Sequence, residues 1–131
     1  MDIKGILKTS KVIAVLGASK DEFATSNNIT KYLINRGYTV YPVNPKYKGE
    51  FINEREILPN LKDVPEPIDI INVFRRSVFI ADHVDEMIAV KPRNVWFQLG
   101  ISCPESFERL ENAGIVVVRD RCIYQTLLGE L

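Results

Sequence analysis

The sequence has few of the residues on which several functional classes depend. Its 131 residues include two cysteines, Cys103 and Cys122, and one histidine, His83. Two cysteines do not make a disulfide framework, so both are expected to be reduced thiols in a cytoplasmic protein. A metal site would want more histidines or cysteines than this, and no catalytic triad can be assembled around one histidine. We therefore predict no metal site and no catalytic residues.

The sequence also lacks an excess of charge of one sign and long apolar runs. Lys+Arg and Asp+Glu both number 17, so the formal net charge is zero, which argues against a nucleic-acid partner. No apolar stretch approaches the roughly 20 residues of a membrane span, and the first residues lack the apolar segment of a signal peptide. Length and composition suit one globular domain over residues 1–131.

The chain begins its regular pattern with an unbroken apolar run from Val12 to Leu16 that stops at Gly17. Such a run predicts a strand buried on both faces. A helical pattern begins about ten residues later, with Ser26 or Thr25 as the expected N-cap and Gly37 after its end. A buried strand, a small-residue turn and a helix open many nucleotide-binding α/β domains, because the turn and the helix N-terminus accommodate a phosphate.

Apolar runs continue to alternate with helical patterns along the chain. Further strands are predicted at Thr39–Val43, Glu56–Leu58, Asp69–Phe74, Asn94–Gln98 and Ile115–Val118. The other predicted helical segments are residues 3–9, a turn over Asn60–Val64, a helix capped by Ser77 and closed by Pro92, a helix from Pro104 that Gly114 follows, and Ile123–Leu128. A polar connection over 46–55 is expected to be partly helical near its end. Together they predict an α/β fold: a Rossmann-like, doubly wound parallel sheet in a three-layer α/β/α domain.

Ligands of doubly wound sheets bind beyond the carboxyl ends of the strands. The residues that follow the predicted strands combine glycines, cations and hydrogen-bonding groups, in the segments Gly17-Ala18-Ser19-Lys20, Asn44-Pro45, Phe74-Arg75-Arg76, Gln98-Leu99-Gly100 and Arg119-Asp120-Arg121-Cys122. This combination favours a small-molecule ligand with phosphates, an apolar plane and polar edges.

The pattern differs from that of NAD-binding domains. Their G-x-G-x-x-G fingerprint is interrupted here, since Ser19 and Glu22 stand where the second and third glycines belong. The carboxylate that binds a ribose at the end of the second strand is replaced by Asn44-Pro45. A P-loop is absent as well, which argues against a P-loop NTPase.

The sequence resembles the CoA-binding domain family of small Rossmann-like proteins, whose fold is similar to the N-terminal domain of succinyl-CoA synthetase α subunits. The most specific segments are Val43-Asn44-Pro45 and Trp96-Phe97-Gln98-Leu99-Gly100. Others, in chain order, are Gly17-Ala18-Ser19, Gly37-Tyr38, Pro65-Glu66-Pro67-Ile68-Asp69, Val73-Phe74-Arg75 and Val117-Val118-Arg119-Asp120-Arg121-Cys122-Ile123.

The resemblance implies noncovalent binding of CoA or an acyl-CoA without turnover. The pyrophosphate would lie at the helix N-terminus and the turn of Gly17, Ala18, Ser19 and Lys20. The adenine and ribose would lie between Val43, Asn44 and Pro45 on one side and Phe74 and Arg75 on the other. Gln98 and Gly100 would face the pantetheine arm, and Cys122 would lie near the thiol.

One departure from the family concerns charge. Relatives often carry basic residues at the positions of Asp21, Ala24 and Asn28 in the loop and first helical turn, where this chain is acidic or neutral. The positive charge would come from Lys20, Arg75 and Arg76, and we include Asn28 and Arg76 among the expected site residues. Backbone N–H groups can still hold the pyrophosphate, because they do not depend on side chains.

Other functions remain open at this point. One alternative is an enzyme, either a nucleotide-dependent oxidoreductase or a stand-alone component of an acyl-CoA synthetase. Another is a redox partner of the CoA thiol, in which Cys122 forms a mixed disulfide. His83, beside Asp82, Asp85 and Glu86, is expected on a solvated helix face. The pattern leaves both a monomer and a homodimer open.

Overall fold

Five parallel strands form the centre of the protein in the computed structural model, which describes residues 1–130. In chain order the strands are β1 (Val12–Leu16), β2 (Thr39–Val43), the short hairpin strands β3 (Phe51–Ile52) and β4 (Arg55–Glu56), β5 (Ile70–Val73), β6 (Asn94–Phe97) and β7 (Val116–Val118). The parallel sheet has the order β2-β1-β5-β6-β7, and β3 pairs with β4. The predicted α/β fold with a doubly wound parallel sheet is confirmed.

Helices cover both faces of this sheet. They are α1 (Ile3–Thr9), α2 (Thr25–Asn35), α3 (Ser77–Ile80), α4 (Val84–Val90), α5 (Pro104–Asn112) and α6 (Ile123–Glu130), with short 3-10 helices at Pro45–Tyr47, Leu61–Asp63 and Ala81–His83. Alternate side chains of each strand enter opposite cores. One core holds residues of α4 and α5, and the other holds residues of α1, α2 and α6. This is the predicted three-layer arrangement.

The chain reverses its winding direction between β1 and β5, which are neighbours in the sheet. After β1 it passes to β2 on one side, and it later returns to β5 on the other. Gly17 ends β1 with φ +90°, and a Cβ added there would lie 2.3 Å from the carbonyl oxygen of Phe74. The glycine is therefore required by the close approach of two strand ends at the switch point.

The start of α2 differs from the prediction. Ala24 occupies the N-cap position and no side chain caps the helix, so the expected caps Ser26 and Thr25 were wrong. Ser26 is buried in the first turn, where its carbonyl oxygen accepts a hydrogen bond from the Thr30 hydroxyl at 2.6 Å. Because Ser26 packs inward, the first N–H groups of α2 receive no side-chain acceptor.

The helix expected between Ser77 and Pro92 is broken into α3, the 3-10 turn Ala81–His83 and α4. Ser77 is the first helical residue rather than the cap, and its Oγ accepts a hydrogen bond from the Ser102 N–H at 2.9 Å. The buried face that the sequence predicted is nonetheless present, since Ile80, Val84 and Met87 all lie in the core.

The connection after β2 contains extended structure that was not predicted. We expected a polar, partly helical segment over 46–55 and a strand at Glu56–Leu58. Instead β3 and β4 form a hairpin with Asn53 at φ 54°, and Leu58 makes only an isolated bridge with Val43. Asn tolerates this left-handed conformation, which tight hairpin turns require. The remaining strands follow the prediction to within one residue at each end.

Candidate ligand site at the carboxyl edge of the sheet

The turn after β1 is tied to the end of β2 by backbone and side-chain hydrogen bonds. The N–H groups of Gly17 and Ala18 donate to the Val43 carbonyl oxygen at 2.9 and 3.3 Å. Asn44 donates from Nδ2 to the Ala18 carbonyl oxygen at 2.8 Å and accepts the Lys46 N–H at Oδ1 at 3.0 Å. These contacts make the turn rigid. They also occupy the first two N–H groups, so any anion-binding N–H of this turn must come from Ser19 onward.

The uncapped N-terminus of α2 lies next along this turn. Asn27 holds the turn against the helix by donating from Nδ2 to the Ser19 carbonyl oxygen at 2.8 Å. Its Oδ1 is buried and has no hydrogen-bond partner within residues 1–130. Asn28 is exposed and donates to the Ala24 carbonyl oxygen at 3.3 Å. The partial positive charge at the helix start, left without a capping side chain, is suited to an anion.

A cavity of about 460 Å³ opens between the segments that follow β5 and β6. It brings together the expected site residues Phe74, Arg75, Arg76, Gln98 and Gly100. Three further residues line it, namely Ser77, Leu99 and Ile101. Gly17 is adjacent, because a Cβ at that position would approach the Arg75 Cδ to 3.3 Å. The predicted juxtaposition of these strand ends is therefore present.

Arg75 is held by an aromatic ring and by the histidine. Its guanidinium carbon lies 4.7 Å from the centre of the Phe79 ring, and its Nε donates to Nε2 of His83 at 3.3 Å. Burial, and secondarily the Arg75 charge, lower the pKa of His83. The expectation that His83 lies on a solvated face was wrong, because the 3-10 turn directs this half-buried side chain toward Arg75.

Gln98 lines the cavity and has a buried side-chain donor without a partner. Its side chain is only 7% exposed, and Oε1 accepts the Ile123 N–H at 3.2 Å. Nε2 has no hydrogen-bond partner anywhere in the described part of the chain. Asn72, at the centre of β5, is a second buried amide whose nitrogen and oxygen both lack partners there. Buried amides are normally satisfied, and both Gln98 Nε2 and the Asn72 side chain depart from this rule.

Two expected site residues have other neighbours. Lys20 Nζ lies 2.9 Å from Glu50 Oε1, and this hydrogen bond raises the pKa of Lys20. Cys122 lines a separate cavity of about 290 Å³ that shares only Leu99 with the one around Arg75. Lys20 is therefore paired with a carboxylate, and the Cys122 thiol is half-buried outside the central cavity.

Sequence reasoning missed several residues that shape this site. Asn27, Glu50 and His83 contact expected site residues, and Ser77 lines the cavity. These contacts carry no local sequence signal, because they join residues up to 30 positions apart. Ser77 is the exception, because it directly follows the strand-end segment Phe74-Arg75-Arg76, and this position in the sequence is a signal that it lies at the edge of the site.

Two kinds of site were searched for and not found within residues 1–130. No helix there is both long and apolar enough to cross a membrane. No group of three or more His, Cys, Asp or Glu side chains is placed to hold a metal ion. A cleft of about 510 Å³ does lie at the opposite edge of the sheet, between α1 and the Arg93-Asn94 segment, but doubly wound folds bind their ligands at the carboxyl edge.

The chain is similar to several known proteins. Residues 11–127 match the family described as the CoA binding domain. The chain belongs to the CoA binding domain family. The protein YneT of Bacillus subtilis is 36% identical over 122 residues, which are 93% of this chain and 89% of YneT. A solved structure from Thermus thermophilus has a TM-score of 0.94 at 41% identity and covers 97% of this chain and 95% of its own.

Parts of longer proteins are also similar to this chain. The ADP-forming acetate–CoA ligase I of Archaeoglobus fulgidus is 38% identical over 81 residues, which are 58% of this chain and 11% of the ligase. A dinucleotide-forming acetyl-coenzyme A synthetase 1 from Ca. Korarchaeum cryptofilum shares the fold, with a TM-score of 0.73 over 89% of this chain and 27% of its own. This chain therefore corresponds to a small part of such synthetases.

Proposed function

We propose that this protein binds coenzyme A or an acyl-CoA noncovalently at the carboxyl edge of its sheet and catalyses no reaction itself. The observation that carries the proposal is that Gln98, whose buried Nε2 is unpaired, lines the same cavity as Arg75 in a chain of the CoA binding domain family. The pantetheine arm of CoA contains two amides, and their carbonyl oxygens are the acceptors that this group lacks.

The pyrophosphate is assigned to the turn after Gly17 and the start of α2. The uncapped helix supplies N–H groups and a partial positive charge. Arg75 reaches the same region from β5, since its Cδ lies beside Gly17. The positive side-chain charge thus comes mainly from the segment after β5. This arrangement is consistent with the lack of basic side chains at Asp21, Ala24 and Asn28.

Lys20 contributes only when it leaves Glu50. The two side chains are each about half exposed, so their ion pair is weak and a phosphate competes with the Glu50 carboxylate. Arg76 is exposed at the rim of the cavity, where it is available to the phosphate monoester of CoA. Asn44 and Pro45 border the adenine and ribose, because both remain accessible at the end of β2 beside the turn, whereas the Val43 side chain is fully buried beneath them.

A second candidate function is that of a stand-alone component of an acyl-CoA synthetase. It is favoured by the similarity to part of the Archaeoglobus fulgidus ligase. A component of this kind would bind CoA at the same site and act only with a second polypeptide, so the two functions predict the same ligand. We place either in the cytoplasm, consistent with two half-buried free cysteines.

Calorimetric titration and thermal unfolding with CoA, acetyl-CoA, NAD and FMN test the proposal. CoA and acetyl-CoA are expected to stabilise the native protein by about 2.7 kcal/mol at a concentration 100-fold above Kd. Gln98→Leu removes the buried donor and is expected to weaken CoA binding about tenfold, by analogy with loss of one hydrogen bond. It also removes the acceptor of the Ile123 N–H, so thermal unfolding without ligand checks that the variant is folded. Gln125→Leu, at an exposed position in the neighbouring cavity, is the control and should bind CoA as the unmodified protein does.

The outcomes are separable. Stabilisation by NAD but not by CoA would contradict the proposal and point to an oxidoreductase. Equal CoA affinity in the Gln98 and Gln125 variants would leave CoA binding intact and reject the role given to Gln98. A CoA mass adduct that disappears in Cys122→Ser would instead support the redox alternative.

A further inference from the structure

Arg75 is constrained at three points along its side chain. Its Cδ lies beside Gly17 at the phosphate turn. Its guanidinium packs on the Phe79 ring, with 4.7 Å between the guanidinium carbon and the ring centre. Its Nε–H is engaged by His83 Nε2 at 3.3 Å. An exposed arginine would sample many rotamers, so three contacts on one side chain indicate that its orientation matters.

We propose that His83 is a positioning residue, which holds the Arg75 guanidinium in place for a phosphate of the bound ligand and makes ligand binding sensitive to pH. The inference rests on the proposed function, because it assumes a phosphate-bearing ligand at this edge. It concerns a residue that lies outside the cavity lining and acts only through Arg75.

The geometry of the contact supports this role. A guanidinium carries five N–H donors, and His83 uses only the one on Nε. The four N–H groups on the two terminal nitrogens stay free to form the fork that binds a phosphate with two parallel hydrogen bonds. A guanidinium already fixed in this orientation loses less conformational entropy when the phosphate arrives.

The contact requires a neutral imidazole, because only an unprotonated Nε2 can accept a hydrogen bond. Three charged groups face His83, namely Arg75, which disfavours the imidazolium, and Glu86 and Asp82, which favour it. Burial, together with the Arg75 charge, outweighs the effect of Glu86 and Asp82, so the pKa of His83 is lowered. As the pH falls through that pKa, His83 loses its acceptor and repels Arg75, and phosphate binding is expected to weaken.

Calorimetric titration with dephospho-CoA between about pH 5 and pH 8 tests the proposal. This probe keeps the pyrophosphate but lacks the phosphate monoester, whose second pKa of about 6 would otherwise titrate in the same range. The unmodified protein is expected to bind about threefold to tenfold more weakly at the acid end, the range of one ordinary hydrogen bond.

Two substitutions at position 83 separate the acceptor from the charge. His83→Gln keeps an acceptor and does not titrate, so it should bind as the unmodified protein does at pH 8 and show no decline in acid. His83→Leu has no acceptor, so it should bind about threefold to tenfold more weakly at every pH. Thermal unfolding of both variants without ligand checks that they are folded.

Several results would overturn the inference. Unchanged affinity in His83→Leu would show that Arg75 needs no positioning. Tighter binding of the unmodified protein in acid, lost in His83→Gln, would show that the imidazolium itself attracts the ligand. If the unmodified protein binds neither CoA nor dephospho-CoA at any pH, the proposed function is rejected and this inference with it. If the unmodified protein binds both ligands, and both His83 variants have the same affinity and pH dependence as the unmodified protein, only this inference is rejected.

Discussion

Replacing Gly17 with Ala is expected to destabilise the protein considerably more than the same change at Gly37. Both glycines have a positive φ, +90° and +97° respectively. They differ in what a Cβ would meet, since at Gly37 nothing lies within 4 Å. At Gly17 the Cβ would lie 2.3 Å from the Phe74 carbonyl oxygen and 2.9 Å from its carbon.

The two environments allow the magnitude to be worked out. A non-glycine residue in the left-handed region costs about 1–2 kcal/mol, which applies to both variants. At Gly17 the strand end must also move away from the new methyl group, and overpacking of this kind costs about a further 1–3 kcal/mol. The free energy of unfolding is expected to fall by about 2–5 kcal/mol in Gly17→Ala and by about 1–2 kcal/mol in Gly37→Ala.

Urea denaturation measures both values, provided that the dependence of the unfolding free energy on urea is the same for all variants. The difference between the variants is the decisive quantity, because the effect of Ala on the unfolded chain is shared and cancels. Equal losses would refute the reasoning and show that β1 and β5 do not meet so closely. A large loss would also mean that substitutions at Gly17 report on folding, so Gln98 is the better position for a binding test.

Three further predictions concern charged and titratable residues. Glu50→Gln should leave the free energy of unfolding nearly unchanged, because the Lys20–Glu50 pair is exposed to solvent, yet strengthen CoA binding in calorimetry. Asp69→Ala should lower the unfolding free energy by about 2–3 kcal/mol in urea denaturation, because Asp69 Oδ2 accepts two backbone N–H groups at the start of β1, at 2.8 and 2.9 Å. Since the pKa of His83 is lowered from 6.5 on folding, the native state binds fewer protons below that pH, and stability should decline as pH falls from about 6.5.

Each of these predictions has a control. The gain in CoA affinity in Glu50→Gln should shrink at high salt, and a gain that is independent of salt would contradict its electrostatic origin. Asp69→Asn keeps one acceptor oxygen and should lose less stability than Asp69→Ala. His83→Gln should remove part of the decline in acid, and an identical decline in this variant would assign it to other groups.

The sequence by itself determined the strands of the parallel sheet and the edge at which a ligand site is expected. Five apolar residues bounded by Gly17 predicted β1 to the residue, because a strand buried on both faces leaves no polar position within it. The run from Thr39 that Asn44-Pro45 ends predicted β2 to the residue, although Thr39 and Tyr41 are only half-buried at the edge of the sheet. The alternation of runs and helical patterns predicted the doubly wound sheet, and with it the edge where the site residues meet. The absence of a ribose-binding carboxylate at the end of β2 argued against NAD, and this too can be seen in the local sequence.

The tertiary structure alone decided which side chains are available at that edge. Ser26 looked like a cap, but it is buried, and the start of α2 has no capping side chain. Lys20 and Glu50 are 30 residues apart, and Arg75 meets His83 only because the helix after β5 is interrupted by a 3-10 turn. Pairings of this kind depend on how separate segments pack, and neither hydrophobic period nor local propensity encodes them.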